Sequence, residues 1–382
     1  MRILITSPHP LWPESSGAAR RGLGVACALA DAGHHVRLLT PGFPEAGRSL
    51  PAGLSHRRYR GLGLVGHFFN PAFASALASE LAAGHDLVVS EFPYLASTLV
   101  RLCARYGVPL VYNAQNCEAD RARQMRGAPV AALISHRERI LVKAARAVLC
   151  VSRLDSRLFE NRYDRIPLLL PNGVDTDAFR PVAADPSLSQ RLGLSGKRVA
   201  LYFGSFDYKP NQRALERLLS LEWPIRIEGY PDTHLLVVGR QSQVYTPQRE
   251  GVLATGEVAD VVPYINLANI VLSPLEIGGG TRLKIIEALA CGQAVLSTRF
   301  GALGLELTGV GGLHCCDWPD FDKTLRELLA DPLQPGSNHP GRCWAESLDW
   351  RSLSRAIPWA DFTQTPPAQN CPDPEKCAAR SA

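Results

Sequence analysis

No apolar run among the 382 residues approaches the ~18 residues that a membrane-spanning helix requires. The opening run, Met1-Arg2-Ile3-Leu4-Ile5-Thr6, is too short for a secretory leader and is followed at once by prolines. No Cys-x-x-Cys pair occurs among the ten cysteines, most of which sit in apolar runs where cysteine acts as a small hydrophobe. The close pairs Cys315-Cys316 and Cys371-Cys377 have no histidine at zinc-ligand spacing, so no metal is expected. A large charge is also missing. Lys and Arg number 41 against 36 Asp and Glu, and a net +5 over this length gives no reason to expect nucleic acid. These absences predict a cytoplasmic, metal-free protein. What is present is ordinary globular composition, 46% hydrophobic and 20% charged, with 32 glycines and 29 prolines. The length exceeds what one core usually supports, so two domains are expected.

Ile3 to Thr6 reads as a buried strand, Ala18 to Ala32 as a helix stopped by Gly33, and His35 to Leu39 as the next strand. That is a βαβ unit, which implies a parallel sheet. The grammar continues with strands at Asp86 to Ser90, Pro109 to Asn113, Val148 to Ser152 and Ile166 to Leu170, and helices at Leu95 to Tyr106 and Asp155 to Asn161. Pro171-Asn172-Gly173-Val174-Asp175 is a turn cluster of the kind that separates units. A second series follows, with strands at Arg198 to Phe203, Leu235 to Val238, Ile270 to Ser273 and Ala294 to Ser297. Its helices are expected at Asn211 to Leu219 and Thr281 to Ala290. The reading is an α/β chain of two Rossmann-like domains, residues 1–170 and 171–344, facing each other across a cleft. A closing helix is expected over 345–362, from Ala345 to Ala356, and a disordered tail over 363–382.

The segment most informative about chemistry runs from Ser273 to Ala288. A buried strand enters Gly278-Gly279-Gly280, which opens onto a helix beginning Thr281-Arg282-Leu283-Lys284. Unobstructed backbone N–H groups at a helix start bind phosphate, and Arg282 and Lys284 add positive charge there. Lys284 and Glu287 share one face of an otherwise apolar helix, which favours a polar cleft over a solvated (i, i+3) pair. Gly22-x-Gly24 falls inside a helix instead of at a strand-to-helix turn, so it is not a dinucleotide fingerprint.

These residues, with Phe203-Gly204-Ser205-Phe206-Asp207-Tyr208-Lys209-Pro210-Asn211, Thr255-Gly256-Glu257-Val258 and Ser297-Thr298-Arg299-Phe300-Gly301-Ala302, make the chain resemble the retaining glycosyltransferases of family 4 (group 1). The Pro171 to Asp175 cluster with Phe179 adds to the likeness, which extends to about residue 330. The resemblance implies the GT-B fold and transfer of a hexose-type sugar from a nucleotide-sugar donor to a glycan or lipid-linked acceptor. It implies no cofactor and a front-face reaction without a protein nucleophile. Glu287 would hold the ribose diol, since a carboxylate accepts from two hydroxyls. Gly279, Gly280 and Thr281 would offer backbone donors, and Arg282, Lys284 and Lys209 would neutralise the leaving diphosphate. Gly204 and Ser205 would border the same cleft, Gly256 and Val258 would read the base, and Gly17 would let the first domain approach the donor.

The pattern departs from the family at three places. Gly279 stands where the first motif glutamate belongs, and Ser205 where an arginine is usual. Gln115, in Tyr112-Asn113-Ala114-Gln115, replaces a histidine; it could still donate to a sugar hydroxyl but cannot titrate. Those losses keep open a rival reading, a nucleotide-sugar-binding scaffold or partner subunit without turnover. The charge also divides unevenly: residues 1–170 carry +9 and residues 171–382 carry −4. Arg121, Arg123, Arg126, Arg137, Arg139, Lys143 and Arg146 concentrate the excess, which marks an anionic membrane face as a candidate partner of the first domain.

Overall fold

The computed structural model describes residues 1–364 apart from 13, 15, 43–49, 67, 279–281, 306–309, 332–335 and 337. The first sheet has seven parallel strands, β1 (Arg2–Thr6), β2 (His35–Thr40), β3 (Leu54–Arg58), β4 (Leu87–Ser90), β5 (Leu110–Asn113), β6 (Ala147–Cys150) and β7 (Leu168–Leu169). Their order is β3-β2-β1-β4-β5-β6-β7. The second has six, β8 (Arg198–Phe203), β9 (Thr233–Val238), β10 (Val252–Gly256), β11 (Ile270–Ser273), β12 (Val295–Thr298) and β13 (Leu313–Cys316). Their order is β10-β9-β8-β11-β12-β13. Both are doubly wound, with chain order reversing between β1 and β4 and between β8 and β11. Ligands of open parallel sheets bind beyond the carboxyl ends of strands at such reversals.

Burial on both faces follows from the near-continuous apolar strands. Ile3 and Ile5 join one cluster of buried side chains, with Val25 and Leu29, while Leu4 joins the other, with Phe73, Leu77 and Leu99. Alternation along β1 sends its neighbours to opposite helical layers. The helix Gly17–Asp31 covers the first face and is capped by Ser16, whose side chain accepts from Ala19 N.

The close of the chain differs from expectation. Instead of one helix over 345–356, two short helices form, Pro340–Ser347 and Trp350–Arg355. Asp349 separates them: its carboxylate accepts from Arg351 N at 2.9 Å and from Thr176 Oγ1 at 2.6 Å, so it caps the second helix and cannot continue the first. Here the chain crosses back between domains beside its first crossing. Val174 N donates to Leu348 O at 3.0 Å and Trp350 N to Val174 O at 3.1 Å. Trp350, Ile357, Trp359 and Phe362 then complete the core of the first domain. The expected tail lies, from 365 onward, outside the described residues.

The same crossing explains Gly24. A β-carbon there would lie 2.4 Å from the Trp350 indole, so the glycine admits the returning chain.

Candidate active site

A cleft of about 840 Å³ separates the domains. Trp12, Glu14 and Arg20 line it from the first domain, and Gly204, Ser205, Arg240, Val258 and Glu287 from the second. Glu287 is 2% exposed. It belongs to the helix Leu283–Ala290, whose other faces are buried among apolar side chains. Arg20 Nη1 donates to both of its oxygens, at 2.5 and 2.6 Å, so one ion pair bridges the cleft.

Beyond β8 the backbone clears space. Gly204 has φ +154, and a β-carbon on it would lie 2.9 Å from Asn211 Nδ2 and 3.3 Å from Lys284 Nζ. Glycine lets the strand end sit directly against the lysine. Lys284 Nζ lies 3.4 Å from Asn211 Oδ1 and 4.4 Å from the centre of the Tyr202 ring. Burial, and then neighbouring Arg282, push the ammonium down to about 7, against the pull of Glu287. Such a lysine gains charge when a phosphate arrives beside it.

The loop after β5 is held by three buried carboxylates. Glu91, following β4, accepts from Asn113 Nδ2 at 3.0 Å and from Gln115 Nε2 at 2.9 Å. Asp155 Oδ1 accepts from Cys117 N at 3.3 Å. Glu138, on the helix Ala128–Ala144, accepts from Glu118 N at 2.9 Å and Ala119 N at 3.1 Å. The helix Glu118–Arg126 has no side-chain cap of its own, so Glu138 meets its orphan donors. Burial raises the carboxyls of Glu91 and Asp155, and raises Glu138 to about 7. The buried guanidinium of Arg21 answers Glu91; burial lowers it to about 10, with Glu91 pulling upward. Arg21 also donates to the hinge, to Leu170 O at 2.9 Å and Asn172 Oδ1 at 3.0 Å.

The residues expected from sequence are only partly gathered. Gly204, Ser205, Val258 and Glu287 meet in the cleft. A β-carbon on Gly17, at the start of its helix, would lie 3.5 Å from Leu283 Cδ1, an ordinary contact across the domains, so a methyl group would fit there. Gly256 spends its N–H on Ser242 Oγ at 2.9 Å, leaving Glu257 and Val258 to line the wall. Lys209 is exposed at its helix start and lies off the cleft. Arg282 is half-buried, 5.8 Å from the Phe300 ring centre. Gly279, Gly280 and Thr281 fall outside the described residues. The donor role expected of Gln115 is not available, because Nε2 also bonds Ala18 O at 3.2 Å and both hydrogens are spent.

The glycosyltransferase family 4 model matches residues 15–178, and the model for group 1 glycosyl transferases matches residues 197–331. The two domains are those of a group 1 glycosyltransferase. No curated protein matches the chain in sequence. Among solved structures, the glycosyltransferase is similar to HepE of Anabaena, in complex with UDP and glucose, at TM-score 0.72 and 16% identity. That match covers 95% of this chain and 100% of the other. Sucrose-phosphate synthase of Thermosynechococcus elongatus matches at TM-score 0.67 and 19% identity, over 95% and 96%. WaaG, a glycosyltransferase involved in lipopolysaccharide biosynthesis, matches at 0.65 and 19%, over 94% and 97%. The shared architecture is GT-B.

Sequence reasoning missed several residues at or beside the candidate site. Arg20 and Arg240 carry no motif, and Asn211 was read only as part of a resemblance. Glu91 sits in Ser90-Glu91-Phe92, where the one available signal is a carboxylate directly following a fully buried strand.

Proposed function

We propose that the protein transfers a hexose from a nucleotide-sugar donor to a glycan or lipid-linked acceptor with retention of configuration, in cell-surface polysaccharide or glycolipid synthesis. One observation carries the reading: a buried carboxylate, Glu287, and the glycine-cleared end of β8 at Gly204 line one cleft, and the Lys284 amine lies directly against Gly204. A nucleoside diphosphate presents a diol and a diphosphate, which need those two partners. Solved relatives of the same fold include one in complex with UDP and glucose, which supports this donor class.

In the proposed reaction the bond from the anomeric carbon to the diphosphate oxygen breaks as the acceptor hydroxyl approaches from the same face. The new bond forms to the acceptor oxygen, and its proton passes to the departing phosphate oxygen. Lys284, charged when the diphosphate is bound, and Arg282 stabilise the leaving group without a metal. Gln115 borders the reacting sugar.

The acceptor side is read from the surface of the first domain. Arg123, Arg126, Arg139 and Lys143 are exposed, as are Met125 and Leu133 on the same two helices. Arg121 is turned from that surface: it bonds Glu118 at 2.8 Å and is half-buried. Basic residues around exposed apolar ones suit an anionic membrane surface and support a peripheral position on its cytoplasmic face as part of the proposal. No helix among the described residues is long and apolar enough to cross a membrane.

Calorimetry and thermal shift with a panel of UDP-, GDP- and ADP-hexoses test the donor site. Release of nucleoside diphosphate and NMR of the product anomer test transfer and retention. Binding without release under any acceptor pool would leave a nucleotide-sugar-binding scaffold.

A further inference from the structure

Glu91 follows β4 and Gln115 follows β5, adjacent strands of the first sheet. The two oxygens of Glu91 accept from two different amides: Oε1 from Asn113 Nδ2, Oε2 from Gln115 Nε2. Neither amide is free to turn over. Asn113 Oδ1 accepts from Arg21 Nη2 at 2.7 Å, which points its NH2 group at Glu91. Gln115 lies between Glu91 and the Ala18 carbonyl, and a carbonyl oxygen can only accept. Two acceptors therefore fix where the Gln115 NH2 group points. Among the described residues no donor meets Gln115 Oε1. That oxygen is the one polar atom of the side chain left for a ligand.

We propose that Glu91 is a positioning residue for sugar transfer, fixing the Gln115 amide so that it offers a carbonyl oxygen, and no donor, to a hydroxyl of the bound substrate. The proposal rests on the transferase reading above. The orientation has a chemical consequence. As the bond to the diphosphate lengthens, positive charge grows at the anomeric carbon. A carbonyl oxygen nearby, accepting from a sugar hydroxyl, favours that charge, whereas an amide N–H would oppose it. Arg21 supports the arrangement from behind, balancing the Glu91 charge and holding Asn113.

The test is a double-mutant cycle on the full chain, using the nucleotide sugar that gives the largest thermal shift. Glu91→Gln is nearly isosteric but offers one acceptor to two donors. Arg21 holds Asn113, so the mismatch falls on Gln115. Glu91→Gln and Gln115→Ala should each lower kcat by about tenfold. Nucleoside diphosphate Kd should stay within about twofold, since neither residue reaches the diphosphate. The double variant should be no slower than Gln115→Ala alone, because Glu91 acts through Gln115. A purely structural role would instead lower kcat and affinity together, and the two losses would multiply; either result, or wild-type kcat in Glu91→Gln, overturns the proposal. If Glu91→Gln does not fold, Glu91→Asp keeps the charge beside Arg21 and withdraws the carboxylate by one methylene, with the same coupling expected. A fall in donor hydrolysis as well as transfer assigns the hydroxyl to the donor sugar; a fall in transfer alone assigns it to the acceptor. Wild-type protein that binds no nucleotide sugar overturns the transferase reading itself, before Glu91 is substituted.

Discussion

Arg20 and Glu287 are 267 residues apart in the chain, yet Arg20 Nη1 reaches both Glu287 oxygens within 2.6 Å. A carboxylate holding one guanidinium nitrogen still has lone pairs for two hydroxyls. Glu287→Ala removes those acceptors and leaves Arg20 without its partner. Donor affinity should fall by about 2 kcal/mol, the scale of hydrogen bonds to a charged group, as read by calorimetry. Unchanged Kd would remove Glu287 from the donor site.

Lys284 gives nucleotide binding a pH signature. Its ammonium titrates at about 7 in the empty cleft, and a bound diphosphate favours the charged form. Below pH 7 the lysine is already charged and affinity is flat on its account. Above 7 binding must take up a proton, so affinity weakens as pH rises. Calorimetry at pH 8 in buffers of different ionisation enthalpy should show that uptake, approaching one proton. Lys284→Met should abolish it.

Glu138 gives stability a pH signature of the opposite origin. Burial raises its folded pKa to about 7, above the usual carboxyl value. The folded state therefore holds its proton more tightly than the unfolded chain. Stability from this group is complete below about pH 4.5 and is lost as pH rises through 7. The loss is on the order of 3 kcal/mol by that shift. Melting temperature followed from pH 4.5 to 7.5 should show a smaller decline in Glu138→Gln than in wild type.

Gly24→Ala should destabilise the protein although alanine is the better helix former. The gain in helix propensity is at most ~1 kcal/mol. The new methyl would stand 2.4 Å from the Trp350 ring, an overpacking that costs about 1–3 kcal/mol. Chemical denaturation measures the net loss. Trp350→Ala in the same chain should remove most of the additional penalty.

The basic surface of the first domain makes a prediction about membranes. Sedimentation with vesicles containing anionic lipid should retain the protein, with binding weakened by salt. Replacing Arg123, Arg126, Arg139 and Lys143 with glutamate should abolish retention while nucleotide affinity is kept. Equal binding to neutral vesicles would rule out the electrostatic reading.

Central strands were legible from sequence, and of the four edge strands only β7 was. β8 and β11 fall where the apolar runs place them, because a strand paired on both sides and covered on both faces must be apolar throughout. The strands that went unread, β3, β10 and β13, all lie at sheet edges. Leu54-Ser55-His56-Arg57-Arg58 is polar and half-exposed, as an edge tolerates, so periodicity does not separate it from a loop. The site divides similarly. Lys284 and Glu287 share a helix face and could be read as a pair. Arg20 with Glu287, and Glu91 with Gln115, are neighbours only after two domains, or two adjacent strands, have assembled.

The return of the chain across the hinge also bears on how the protein is made. The first domain emerges first from the ribosome, with β1 and the helix Gly17–Asp31 synthesised at the start. Its core, however, is closed by Trp350, Ile357, Trp359 and Phe362. At roughly 5–20 residues per second those side chains arrive well after the rest of that core. In the interval the helix side at Gly24, which packs against Trp350, lacks that partner. The core of the first domain is therefore completed only after the second domain has been synthesised.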